Sequence, residues 1–377
     1  MSDSFPLAGF APPIADLSSL PSASLLAKPT RKPPMSLESF ASIPRCFASC
    51  SLGQSTDKLS DRLSHLSAAG FTQIELSMPD LVAFASQYLG RDVKDNDYHA
   101  LCQAGEEVKK LCKAKGLQIF VLQPFANFEG WPEGSDERLD AFNRVAGWVA
   151  IMRAVGTETL QVGASDSEGI NTSRDYVVRD LGLLCDLLAI QGFRVAYENW
   201  CWSSHAPTWR DVYELVDAVR RAGHPNIGLC LDSFQTAGSE WADPTRAGGL
   251  NDDPDRDAKL AQSLDDLSKV VPADMIYFYQ VSDAYKVEPP LENRKVKGLR
   301  PRGRWSHDYR PLPFEGGYLP VVQVTRAVLK TGFRGTFSVE VFDGGKDGTG
   351  KKDVDLEDFA NEAKESLERL LSECAEE

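Results

Sequence analysis

Four oxygen-bearing side chains recur at one kind of place in this sequence. Glu198 follows Phe193-Arg-Val-Ala-Tyr197, Asp232 follows Ile227-Gly-Leu-Cys-Leu231, Gln280 follows Met275-Ile-Tyr-Phe-Tyr279, and Glu340 follows Thr336-Phe-Ser-Val339. Each preceding run is short and apolar, the pattern of a buried strand. If those strand ends converge, the four side chains form a ligand set for one metal ion. Three carboxylates crowded together without a cation repel and raise one another's pKa values; a divalent ion removes the conflict. Oxygen donors, with an amide where a histidine could stand, suit Mg²⁺, Mn²⁺ or Co²⁺ ahead of Zn²⁺. The plainer reading is that such residues cap the sheet or pair with arginines. Four in succession at the same strand position favours the metal.

The elements that must position them are regular from Ile43 onward. Strands are expected at Arg45–Cys50, Phe71–Leu76, Leu117–Leu122 and Thr157–Val162, followed by the four runs above. Helices are expected over Lys58–Ala69, Tyr98–Ala114, Ser135–Ala154, Tyr176–Ile190, Thr208–Ala222, Pro254–Val271 and Leu319–Lys330. Glycines 70, 116, 156 and 192 each close a helix and open a strand, as C-terminal cap glycines do. Alternating strands and helices pair in parallel through right-handed crossovers. Eight such units fit one (β/α)₈ TIM barrel of about 250 residues plus insertions. A doubly wound open sheet would need a phosphate loop after the first strand. Ser49-Cys-Ser-Leu-Gly53 is neither GxGxxG nor a P-loop. In a barrel the C-terminal strand ends meet on one face, where barrel enzymes keep their chemistry.

Residues 1–42 read as a flexible N-terminal extension, rich in Pro, Ser, Ala and Leu without steady periodicity, and residues 43–377 as the barrel with a C-terminal helix. Two long loops stand out. Residues 282–318 carry many arginines and lysines, read as solvated charge over 294–304. Residues 343–354 are glycine-rich and read as flexible. The 377-residue chain has a formal charge of −14. That excludes general nucleic-acid or anionic-membrane binding. No apolar stretch is long enough to span a membrane. Eight cysteines show no CxxC or zinc-finger spacing, which indicates reduced thiols and a cytoplasmic location. Nothing sets the oligomeric state; a homo-oligomer is compatible with the sequence.

The motifs resemble those of the xylose-isomerase-like barrels, and within them the 3-dehydroshikimate dehydratases, the fungal single-domain type in particular. The resemblance covers about residues 43–343. It rests on Ser49-Cys-Ser-Leu-Gly53, Leu122-Gln-Pro-Phe125, Phe128-Glu-Gly130, Tyr197-Glu198 with Cys201-Trp-Ser203, and Leu229-Cys-Leu-Asp-Ser-Phe-Gln-Thr-Ala-Gly238 with Trp241-Ala-Asp-Pro244. It continues in Phe278-Tyr-Gln-Val-Ser-Asp-Ala284, Trp305-Ser-His-Asp-Tyr-Arg310, Gly317-Tyr-Leu-Pro320 and Ser338-Val-Glu-Val-Phe342. The order glutamate, aspartate, glutamine, glutamate is the metal set of such dehydratases.

The resemblance implies conversion of 3-dehydroshikimate to protocatechuate on one divalent ion, with Glu198, Asp232, Gln280 and Glu340 as ligands and Glu198 and Glu340 close to the chemistry. It implies His205 as base or acid. It also implies that Arg310, with Ser306 beside it, takes the carboxylate of a small anionic substrate through a guanidinium fork. Gln123, Glu129 and Trp202 would line the pocket. Two departures stand out: Ala126 and Gln235 replace an arginine and a histidine common in bacterial members. The competing readings are an inosose dehydratase or keto-sugar epimerase on the same metal barrel, and a barrel that has lost catalysis and serves as a sensor. A multi-metal DNA-repair endonuclease is disfavoured, because none of the five histidines ends an expected strand.

Overall fold

A computed structural model describes residues 32–54 and 56–376. Eight parallel strands close a barrel in chain order: β1 Arg45–Ala48, β2 Gln73–Ser77, β3 Gln118–Phe125, β4 Thr159–Gly163, β5 Arg194–Glu198, β6 Ile227–Asp232, β7 Ile276–Val281 and β8 Thr336–Val339. β1 closes on both β2 and β8. Every expected helix is present, within a few residues of its expected ends. Gly70 and Gly156 stop their helices with φ of 96° and 78°, a region closed to most residues with a Cβ.

The sequence pattern misses four helices: Leu37–Phe40, Met78–Leu89, Ser233–Glu240 and Pro301–Asp308. The first belongs to the compact unit, which begins at Pro33 rather than at Ile43. Phe40 and Ile43 are buried, and Arg334 stacks over Phe40 while donating to the carbonyls of Pro33 and Pro34. The expectation for residues 1–31 lies outside the described residues.

The two long loops are more ordered than their composition suggests. Residues 282–318 contain the helix Pro301–Asp308. Arg300, Arg302 and Arg304 are braces rather than solvated charges, donating to the carbonyls of Trp202, Gly238 and Glu292 respectively. Tyr309–Arg310 then pairs antiparallel with Phe342–Asp343, setting Arg310 opposite Phe342. The 343–354 segment is tied down. Lys351 Nζ donates to the carbonyl of Gly53 at 2.5 Å and to that of Cys50, and Lys352 pairs with Asp343 at 3.0 Å.

Two apolar layers support the site. The larger fills the space between sheet and helices. The smaller lies inside the barrel, where Val121, Ala196, Cys230 and Phe278 pack with Phe120 and Tyr277. No helix among the described residues is long and apolar enough to cross a membrane. All eight cysteines are free thiols.

Candidate metal centre

Side chains alternate across a strand, so Glu198 at the end of β5 points into the barrel while Tyr197 points toward the helices. Asp232 ends β6 and is also the N-cap of the helix Ser233–Glu240. Its Oδ1 accepts the backbone N–H groups of Phe234 at 2.6 Å and Gln235 at 3.3 Å. That cap fixes the carboxylate and favours its charge. Glu340 follows β8 directly, its N–H on the carbonyl of Val281 at 3.2 Å. Glu198, Asp232 and Glu340 come together, each offering an oxygen within 4.8 Å of the others, and all three are buried.

Gln280 ends up beside the cluster: it is the register partner of Asp232 on β6 and lies across from Ser338, two residues before Glu340, on β8. Its Nε2 donates to Glu75 at 2.9 Å, and its Oε1 accepts the Cys230 thiol at 3.3 Å. Glu75, on β2, also accepts from Ser338 Oγ. Glu75 and Gln161 are site residues that the strand-end pattern does not single out. Gln161, on β4, donates to Glu198 Oε2, as does Trp200 Nε1 at 3.1 Å. The signal that finds both is strand parity: each is a polar residue that faces the barrel interior from between apolar neighbours on its strand.

Arg310 closes the cluster. Its Nη2 donates to Asp232 Oδ2 at 2.6 Å, its Nη1 to Glu340 Oε2 at 3.1 Å and to Ser306 Oγ at 3.4 Å, and its Nε to Ser282 Oγ at 2.9 Å. Four of the five N–H groups of a guanidinium are thus engaged within the protein. The rings of Phe234 and Phe342 cover it at 4.7 and 5.4 Å. As placed, Arg310 offers a substrate carboxylate one N–H rather than a fork. Gln123, from β3, donates to Glu340 Oε1 at 3.2 Å.

The electrostatics call for a cation. Burial, then the neighbouring Glu340 and Asp232, push the Glu198 carboxyl well above its usual range. Burial also lifts Asp232 and lifts Glu340 to about 7, with Arg310 opposing in both. Glu198 Oε1 is buried without a hydrogen-bond partner, an uncommon state for a carboxylate oxygen. With all three carboxylates ionised, as ligands to a cation are, the single guanidinium leaves two negative charges in excess. The donor set and the orphaned oxygen therefore fit a divalent ion.

The cluster opens on a cavity of about 290 Å³, lined among others by Gln123, Trp200, Trp202, Gln235, Ser306 and His307. The indoles of Trp200 and Trp202 stack at 5.0 Å. Trp200 reaches Glu198 across Gly163, where a Cβ would lie 2.1 Å from the indole ring.

His205 and Glu129 are not in this cavity. Both lie behind β5, with Tyr197. Tyr197 Oη donates to Glu129 at 2.9 Å and lies 3.0 Å from His205 Nε2, which is 3.3 Å from Glu129 Oε1. Burial works against the charge of Glu129, but the His205 contact and the Ser165 N–H hold its carboxyl below the usual range. The arrangement braces the end of β5 and does not face the carboxylates. The histidine that lines the cavity is His307, on the helix Pro301–Asp308. His307 keeps an exposed edge; partial desolvation and the nearby Arg310 lower its imidazole from the ordinary value, against the opposing Asp308 and Asp166.

A family model described as "Xylose isomerase-like TIM barrel" matches residues 63–372. The chain belongs to the xylose isomerase-like TIM barrel family. Within that family it is 30% identical to the 3-dehydroshikimate dehydratase of Neurospora crassa, over 80% of this chain and 84% of that one. It is 28% identical to the 3-dehydroshikimate dehydratase of Pseudomonas aeruginosa over 76% of this chain, which spans only 36% of that longer protein. Among solved structures, a xylose isomerase-like TIM barrel/4-hydroxyphenylpyruvate dioxygenase fusion protein superposes with a TM-score of 0.64 at 24% identity, covering 86% of this chain and 42% of that one. The IOLI protein, solved with a bound zinc atom, superposes at 0.61 and 18% identity over 88% of this chain and 98% of that one. At these identities the superpositions establish the xylose isomerase-like fold alone.

Proposed function

We propose that this protein is a metal-dependent, cytoplasmic lyase that converts 3-dehydroshikimate to protocatechuate and water. The observation that carries the reading is the match to the Neurospora crassa dehydratase along 80% of the chain. Glu198, Asp232 and Glu340 would hold one ion, with the Gln280 amide beside them as a fourth oxygen donor. The all-oxygen donors favour Mn²⁺, Co²⁺ or Mg²⁺. A bound divalent ion would supply Lewis acidity to the substrate's ketone oxygen.

The chain's own groups do the rest. His307, neutral at pH 7, accepts the proton α to the ketone and returns it to the departing β-hydroxyl. Water leaves, the ring becomes aromatic, and no other reactant is consumed. Gln235 has its amide oxygen held by the Cys201 N–H at 2.9 Å, so its NH₂ is the donor left for the substrate. Arg310 adds positive charge to a cavity that must admit an anion. Trp200 and Trp202 form one wall, against which a flat six-membered ring can lie.

The test is direct: protein loaded with Mn²⁺ should release protocatechuate from 3-dehydroshikimate, followed by ultraviolet absorbance, and excess EDTA should stop it. One observation favours a second reading. The engagement of Arg310 within the protein weakens the case for a dedicated carboxylate anchor and leaves room for a neutral polyol ketone. Turnover of an inosose in preference to 3-dehydroshikimate would establish that alternative.

A further inference from the structure

We propose that Arg310 is a built-in counter-ion of the carboxylate cluster, setting its net charge at minus two and so tuning it for a divalent rather than a trivalent cation. This rests on the reading that the cluster holds a metal ion. Three observations carry it. Glu198, Asp232 and Glu340 place three negative charges within 4.8 Å of one another. Arg310 bonds to two of them, Asp232 and Glu340, while Glu198 has no cationic partner and keeps one bare oxygen. The guanidinium is fixed there by Ser282, Ser306 and the two phenylalanine rings.

A guanidinium is charged at every working pH, so its contribution is permanent. It is one unit of charge whichever state the deeper Glu75 adopts. Charges this close and this poorly solvated interact strongly, and the effect on a bound cation scales with the cation's own charge. Removing Arg310 should therefore help a trivalent ion more than a divalent one. A residue that merely braced its neighbours would change both affinities alike.

The experiment compares Tb³⁺ binding, read by luminescence sensitised by Trp200 and Trp202, with Mn²⁺ binding, read by loss of the free-ion paramagnetic resonance signal. Parent, Arg310→Gln and Arg310→Lys are titrated, with near-ultraviolet circular dichroism as the folding check. Arg310→Gln should raise the Tb³⁺-to-Mn²⁺ affinity ratio by at least about tenfold, and Arg310→Lys should leave it within about threefold of the parent. An unchanged ratio in Arg310→Gln, or a Lys variant that behaves like the Gln variant, overturns the proposal. If Arg310→Gln does not fold, Ser306→Asp sets a further carboxylate against the guanidinium and should raise the ratio in the same way; an unchanged ratio there is equally fatal. If the parent binds neither ion, the metal reading itself fails, a result distinct from an unchanged ratio.

Discussion

Arg310 Nη2 and Asp232 Oδ2 lie 2.6 Å apart, and both side chains are sealed from solvent. Glu198, in the same cluster, has no such partner. The carboxylates should therefore respond differently to removal. Asp232→Ala takes away a helix cap, worth about 1 kcal/mol, and breaks a buried ion pair, for which about 3–5 kcal/mol is usual. Relief of repulsion with Glu198 offsets part of that. Glu198→Gln removes only a disfavoured charge. Without metal at pH 8, the denaturation midpoint should fall clearly for Asp232→Ala and hold or rise for Glu198→Gln. Calorimetry should find weakened metal binding in both.

His307 and His205 should separate cleanly. His307→Asn should lower kcat by about 10²–10⁴-fold, the range for a lost general acid–base group, without changing thermal stability. His205→Asn should lower stability and leave the turnover of the folded fraction largely intact. The acid limb of kcat/KM should lie below pH 6.5, since the His307 imidazole is held below that value and must be neutral to accept a proton.

Asp283 gives a pH effect of known sign. Burial raises its carboxyl to about 6 against three opposing backbone N–H groups. A folded-state pKa above the unfolded value of 3.8 means its favourable contribution is full at low pH and is lost as pH rises through about 6. Its Oδ1 accepts both the Ala284 and Leu319 N–H groups, and the amide oxygen of asparagine can do the same. Asp283→Asn should therefore gain up to about 3 kcal/mol over the parent at pH 8 and little at pH 4. Urea midpoints at the two pH values check it.

Gly163→Ala should displace Trp200, whose ring occupies the place of the added methyl group. The Trp200–Glu198 bond would go with it. Weaker metal binding and altered tryptophan fluorescence are expected, in a protein that still folds.

The barrel is legible in the sequence because two signals coincide, apolar runs of strand length and glycines that end helices. The three carboxylates are legible because strand ends in such a barrel converge. The engagement of Gln280 by Glu75 and Cys230 is not, since it depends on side chains from two other strands, which no single strand encodes. His205 lies beyond the end of β5, where alternation no longer says which side a residue takes. His307 is hidden because its helix reads as part of a charged loop. The engagement of Arg310 needs Phe342, thirty-two residues away, to be paired opposite it.

The inner cluster of Val121, Ala196, Cys230 and Phe278, each with no solvent exposure, stops the far end of the barrel. The carboxylates thus stand at the bottom of a blind well. Reactant and product would then occupy the same cavity of about 290 Å³ and compete for it. Accumulated product should raise the apparent KM for the incoming reactant while leaving the maximal rate unchanged.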